Sequence, residues 1–293
     1  MKYNFRNGVM GAFASGAFAV FFLTVACGDG ADKKGQALNI TPDMSTDAAL
    51  QAIIAGDHRT PAYAERDAYR RPYETLKFFG IERDMTVVEI GPGGGWYTEV
   101  LAPLLRDSGR LTAAGFDPDS EVEYYRKSAA KLRAKFDAAP EIYGKVQSSV
   151  FARDGSAAFA PDGSADMVLT FRNVHNWMGP DKDAQKVFES FYKALKPGGV
   201  LGLVEHRGDP AVPQDPEAKS GYVNEAYVIK LAEAAGFRLL EKSEINANPK
   251  DTRRHPEGVW TLPPALKLGD QDREKYLAIG ESDRMTLKFQ KPN

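Results

Sequence analysis

The chain has 293 residues, 43% of them hydrophobic and 27% charged, which places it among folded globular proteins and excludes global disorder. Its 38 Lys and Arg stand against 40 Asp and Glu, so a formal charge of -2 leaves no cationic excess to hold a nucleic-acid backbone. One cysteine makes neither an intramolecular disulfide nor a thiolate cluster, and four scattered histidines show no ligand spacing, so no metal site is expected.

Lys2 and Arg6 precede an uncharged run, Val9 to Ala26, that ends at Cys27, the layout of a secretory signal over residues 1–26. Leu23-Thr24-Val25-Ala26-Cys27-Gly28 resembles the lipobox of bacterial lipoproteins, with Thr24 where leucine is usual. That resemblance implies a lipid on Cys27, the sole expected membrane attachment; the alternative is plain cleavage after Ala26. Both imply export to the periplasm or cell envelope. Residues 27–40, small and charged through Gly28 to Gly35, read as a flexible tether.

Residues 41–293 then read as one domain. A helical cap, 41–85, opens with Thr46-Asp47-Ala48-Ala49-Leu50 and continues from Pro61 to Phe79 with Tyr69, Tyr73 and Leu76 at helical intervals. From Thr86 the pattern changes to short apolar runs, each followed by a helical stretch: Val87 to Ile90, Leu111 to Phe116, Val146 to Phe151, Met167 to Phe171 and Val200 to Val204. Such alternation predicts an α/β fold, a doubly wound and mostly parallel sheet. Tyr222 to Ala235 is a helix closed by Gly236. Phe237 to Ile245 and Arg284 to Gln290 alternate as strands of an antiparallel edge, bringing the sheet to seven strands. Between them, residues 246–283 carry Pro249, Pro256, Pro263 and Pro264 and read as a lid insertion.

The most informative residues are Glu89-Ile90-Gly91-Pro92-Gly93-Gly94-Gly95-Trp96-Tyr97, directly after the first buried strand. Glycines there let a ligand press on bare backbone at the carboxyl end of the sheet. A dinucleotide fingerprint requires a sixth-position glycine, which is Trp96 counting from Gly91 and Thr98 counting from Gly93, so a nicotinamide oxidoreductase is disfavoured. Glu89-x-Gly91-x-Gly93-x-Gly95 instead resembles the first motif of class I S-adenosylmethionine-dependent methyltransferases, with Glu for the commoner Asp.

Further likenesses follow in order. Gly115-Phe116-Asp117 resembles the family's segment whose acid accepts hydrogen bonds from both ribose hydroxyls, and Asp154 resembles the acid that meets the adenine amino group. Ala165 to Leu169 resembles the fourth strand, and Leu195 to Val200 the turn into the fifth. Thr86 to Tyr97, Phe171 to Trp177 and Asn246 to Leu262 look like a group of exported bacterial predicted methyltransferases, a likeness over nearly all of residues 50–291. The resemblance implies a Rossmann-like methyltransferase fold and S-adenosylmethionine held by Glu89, Gly91, Gly93, Gly95, Asp117 and Asp154.

Such an enzyme aligns an acceptor behind the cofactor's methyl carbon and excludes water. Asn173, at the end of the fourth strand, is a candidate to hold cofactor or acceptor, and His175 is the candidate general base, with a structural hydrogen-bonded role as its alternative. Glu205 and His206 offer a second acid/base pair. Trp96, Tyr97, Phe171 and Trp177 fall near the expected crevice, or simply in the core. Arg59, Arg66, Arg70 and Arg71 beside Tyr63, Tyr69 and Tyr73 suit an anionic or aromatic acceptor, or a solvated helix face. The expected partner is a small-molecule acceptor. Because the cofactor is cytoplasmic, export leaves an alternative: a non-catalytic small-ligand-binding protein of the envelope that keeps the fold.

Overall fold

The computed structural model describes residues 38–293; the expected signal segment, Cys27 and most of the tether lie outside them. The strands are β1 (Thr86–Ile90), β2 (Arg110–Gly115), β3 (Gln147–Val150), β4 (Ala165–Phe171), β5 (Leu195–His206), β6 (Arg238–Ser243) and β7 (Arg284–Gln290). They form one sheet in the order β3-β2-β1-β4-β5-β7-β6. Pairings from β3 to β5 are parallel, and β7 runs antiparallel to both β5 and β6. The expected doubly wound sheet with an antiparallel edge is the observed one. Strands covered on both faces need continuous apolar runs. Val87, Val88 and Ile90 of β1 and Met167, Val168 and Leu169 of β4 are each at most 1% exposed.

The helical cap comprises α1 (Thr46–Ile54), α2 (Pro61–Ala64), α3 (Asp67–Arg70) and α4 (Pro72–Phe79). The stretch expected as one helical run from Pro61 to Phe79 is three helices. A residue before proline is pushed out of the α region, and Arg71, before Pro72, takes a φ of 41° and turns the chain. Ser45 caps α1 by accepting from Ala48 N at 3.2 Å. Leu50, Ile53, Leu76 and Phe79 pack with Val100, Leu101 and Leu104 of α5 (Thr98–Leu105) against one face of the sheet. Phe79 lies so close to β5 that a Cβ on Gly202 would stand 2.7 Å from its ring, which explains a glycine inside an apolar strand.

Helices α6 (Glu123–Ala138) and α7 (Pro140–Tyr143) follow β2. On the opposite face, Val187, Phe188 and Phe191 of α8 (Ala184–Ala194) and Val228 and Leu231 of α9 (Glu225–Ala234) join Val88, Val168 and Leu201 in a second core. Asp166 fastens the amino ends of three strands, accepting from Thr86 N at 2.8 Å and Lys196 Nζ at 2.6 Å.

Residues 246–283 are mostly irregular, with a 3-10 turn at Gly258–Thr261 and α10 (Arg273–Ile279). Arg284, where β7 begins, pairs with His206 at the end of β5, so this segment rejoins the sheet on the edge where the parallel strands end. There it meets the cap: Asn246 Nδ2 donates to Thr75 Oγ1 at 3.0 Å, and Arg66 Nε to Glu281 Oε1 at 2.5 Å. Among the described residues no helix is long and apolar enough to cross a membrane.

Candidate active site

The carboxyl ends of β1, β2 and β4 open on a cleft of about 310 Å³, lined among others by Gly91, Gly93, Phe116, Tyr125, Asn173 and Trp177. Gly91, Gly93 and Gly95 have φ of 61°, 58° and 81°, left-handed values that side chains oppose. A Cβ on Gly93 would meet no heavy atom within 4 Å, so bare main chain faces open space. At Gly91 a Cβ would instead strike the Asn173 amide at 2.8 Å. That amide donates from Nδ2 to Ile90 O at 2.9 Å and to Thr170 Oγ1 at 3.2 Å, tying the end of β4 to the glycine turn.

The expected acids are placed differently from one another. Glu89 is 2% exposed and lies below the turn, where it accepts from Thr98 Oγ1 at 2.6 Å and joins β1 to the start of α5. Burial pushes its carboxyl up to about 7. Asp117 is exposed just past Phe116, and its Oδ1 accepts from Asp119 N at 2.9 Å. Asp154 is exposed too, and its Oδ1 takes Ser156 Oγ at 2.7 Å and Ser156 N at 3.0 Å, bonds that hold it below the usual carboxylate range. Of the expected residues, Gly91, Gly93 and Asn173 line the cleft, whereas Glu89, Gly95, Asp117, Asp154 and His175 do not.

Of the four expected aromatics only Trp177 lines the cleft. Tyr97 stacks on Phe171 with centroids 3.5 Å apart, and Trp96 lies 4.7 Å from the Arg70 guanidinium while donating from Nε1 to Tyr63 O at 2.9 Å. These three join cap to sheet. The aromatic walls come instead from Phe116 and from Tyr124 and Tyr125 at the start of α6, with Phe116 stacked on Tyr125 at 4.4 Å. Their signal was available: two adjacent tyrosines in the first helical turn after the second strand. Nor is the arginine-rich cap a solvated face throughout, because Arg59 and Arg70 are 4% and 3% exposed.

His175 sits in a 3-10 turn, Val174–Trp177, directly after β4. Its Nδ1 lies 3.1 Å from Oε1 of Glu205, a side chain with no exposure. Glu205 also accepts from Val174 N at 2.5 Å and His206 N at 2.7 Å. A carboxylate so placed accepts a hydrogen bond from Nδ1–H, the tautomer that leaves Nε2 with its lone pair. His206 Nδ1 meets Ser282 Oγ at 2.5 Å, and burial, with His175 and the charges of Arg172, Arg284 and Arg70, keeps its pKa well below the ordinary value.

The sequence showed no ligand spacing, yet β5 and the turn after β4 bring one potential ligand atom each of His175, Glu205 and His206 within 4.8 Å of one another. The donors already on both Glu205 oxygens, and three guanidiniums acting on His206, oppose a cation there.

A family model described as a methyltransferase domain matches residues 63–242, more than half of the chain. The tRNA (guanine-N(7)-)-methyltransferase of Corynebacterium glutamicum is 28% identical over 142 residues, 46% of this chain and 50% of that protein, so the chain spans about half the length of this curated relative. Among solved structures, a SAM-dependent methyltransferase from Aquifex aeolicus superposes with a TM-score of 0.53 at 16% identity, over 84% of this chain and 98% of that one. The Haemonchus contortus phosphoethanolamine N-methyltransferase 2, in complex with S-adenosyl-L-methionine, gives 0.52 at 16% identity over 84% of this chain and 57% of that one. The cyclase SpnF gives 0.52 at 18% identity over 81% and 85%. At such identities the shared property is the fold. On the strength of the family match, which spans residues 63–242, the chain belongs to the methyltransferase-domain family.

Proposed function

We propose that this enzyme methylates a small-molecule acceptor, with His175 as general base, and that it works in the periplasm or cell envelope. The observation that carries the chemistry is the His175–Glu205 pair, 3.1 Å apart beside the cleft residue Asn173. The cofactor fits the residues present. Open space over Gly93 admits it against the backbone, Phe116 and Tyr125 offer flat faces to an adenine ring, and Asp117 keeps one oxygen for ribose hydroxyls. When bound, S-adenosylmethionine supplies an electrophilic sulfonium methyl group.

The chain's part is positional and protonic. His175 Nε2 would take the proton that an acceptor hydroxyl or amine gives up on methylation, for which the bound cofactor would supply the methyl group and leave as its neutral thioether. Glu205 keeps Nδ1–H aimed and stabilises the imidazolium. The cap and residues 246–283 act as the cover that excludes water: Trp260 of that segment stands 6.2 Å from the His175 ring. A formal charge of -2 favours a small molecule over a nucleic acid.

Incubation of the full chain with methyl-labelled S-adenosylmethionine and a small-molecule envelope extract tests this: label should enter low-molecular-mass products. Cofactor binding without any transfer would favour the non-catalytic reading. That reading draws on the secretory pattern of Val9 to Ala26, which parts the chain from the cytoplasmic cofactor supply. Fractionation of producing cells checks the location, with Cys27→Ser expected to release a lipid-anchored chain from the membrane pellet.

A further inference from the structure

Four guanidinium groups and one carboxylate meet between the cap, the end of β4 and the start of β7. Glu281 serves three of them, accepting from Arg66 Nε at 2.5 Å, Arg70 Nε at 3.3 Å and Arg284 Nη2 at 3.0 Å. Arg70, Glu281 and Arg284 are each at most 4% exposed. The fourth group, Arg172, follows Phe171 with a left-handed φ of 61°. Among the described residues its side chain has neither a hydrogen-bond nor a carboxylate partner. Burial first, and then Arg284 and Arg66 against the opposing pull of Glu281, lowers the Arg172 pKa to about 10. Arg70 is depressed in the same way, by burial first and then by Arg172.

A largely buried excess of positive charge is unfavourable until an anion answers it, and the half-buried Arg172 leaves that cluster reachable from solvent. The planar fork of a guanidinium matches the paired oxygens of an oxyacid. Position gives that anion a role. Arg172 directly precedes Asn173 of the cleft, and Arg172, Arg284 and Arg70 all act on His206, whose ring is 5.4 Å from that of His175.

We propose that Arg172, flanked by Arg70 and Arg284, binds a carboxylate or phosphate group of the methyl acceptor and thereby directs the acceptor's nucleophilic atom to His175. This rests on the methyl-transfer reading and narrows its substrates to anionic small molecules. Glu281 is then a positioning residue, which arrays Arg66, Arg70 and Arg284 without neutralising them.

Calorimetric titration of the full chain with inorganic phosphate and with benzoate, each with and without saturating S-adenosylmethionine, tests the site and separates the two oxyacid chemistries. At least one anion should bind, with an affinity that the cofactor alters less than about threefold, and Arg172→Gln should weaken it about tenfold or more while leaving cofactor affinity within about threefold. Competition between anion and cofactor would assign the arginines to the cofactor's own carboxylate and overturn the proposal. So would binding indifferent to Arg172→Gln, or no binding of either anion. If that variant does not fold, phenylglyoxal labelling of the unaltered chain, read at Arg172 by mass spectrometry, should be slowed by the bound anion; undiminished labelling overturns the assignment. A chain that binds the anion but not S-adenosylmethionine would refute the methyl-transfer reading, and with it the acceptor role. Loss of anion binding alone refutes only this proposal.

Discussion

Nδ1 of His175 and Oε1 of Glu205 stand 3.1 Å apart, although 30 residues separate them in sequence. With the carboxylate fully buried and bonded to the N–H groups of Val174 and His206, the imidazole is held in one tautomer. His175→Ala is expected to lower kcat for labelled-methyl transfer about 100-fold or more, with cofactor affinity unchanged by calorimetry. Full turnover in that variant would remove His175 from the chemistry.

Gly93→Val should abolish measurable binding of S-adenosylmethionine while the chain still folds. The added side chain enters open cleft rather than packed atoms, so the folding cost is that of a left-handed φ, about 1–2 kcal/mol. Thermal unfolding and calorimetric titration read the two effects apart. Undiminished affinity would mean that the cofactor lies elsewhere.

Two exposed aspartates should behave differently. Asp117 adjoins the cleft wall at Phe116 and among the described residues keeps one oxygen free, so Asp117→Ala is expected to weaken cofactor binding about tenfold or more through lost charge-assisted bonds. Asp154 gives Oδ1 to Ser156 twice, and Asp154→Ala should change affinity less than about twofold. The opposite ranking, measured by titration, would shift the nucleoside toward β3.

Glu89 makes a prediction about pH. Its carboxyl is raised to about 7 in the folded chain by burial, against an ordinary value of 4.5, so the folded state keeps this proton over that window while the unfolded state has lost it. The group therefore favours folding less and less as pH climbs from 4.5 to about 7, and opposes it fully above. Glu89→Gln stays neutral and can still accept from Thr98. Its melting temperature should exceed that of the unaltered chain most above pH 7, by a margin that narrows in acid. A margin that widened in acid would contradict the assignment.

The central parallel strands β1 and β4 were legible because each is apolar on both sides, unlike the exposed edge strand β3, and the ligand turn because glycines crowd the exit of β1. Even Arg71 had its signal in Pro72. Polar partnerships were another matter. The His175–Glu205 pair depends on β4 lying beside β5 with Phe171 opposite Val204, and on a 3-10 turn that sends the next residues back over the sheet. Local periodicity reports which face is buried, not which carboxylate waits there. For the same reason Arg70 reads as one of many cap charges. Its burial against Glu281, 211 residues away, exists only once both ends of the domain have assembled.

The order of the sheet has one more consequence. β7 lies between β5 and β6, and among the described residues it is β6's one strand neighbour in the sheet. A chain still short of Gln290 during synthesis thus leaves two rows of backbone amides without mates, on the flank of β5 and along all of β6. Such open edges recruit other strands. Nascent copies of this protein are therefore most vulnerable to aggregation while β5 and β6 are made and β7 is not, and a holdase that shields β5 and β6 until β7 arrives should raise the yield of folded protein.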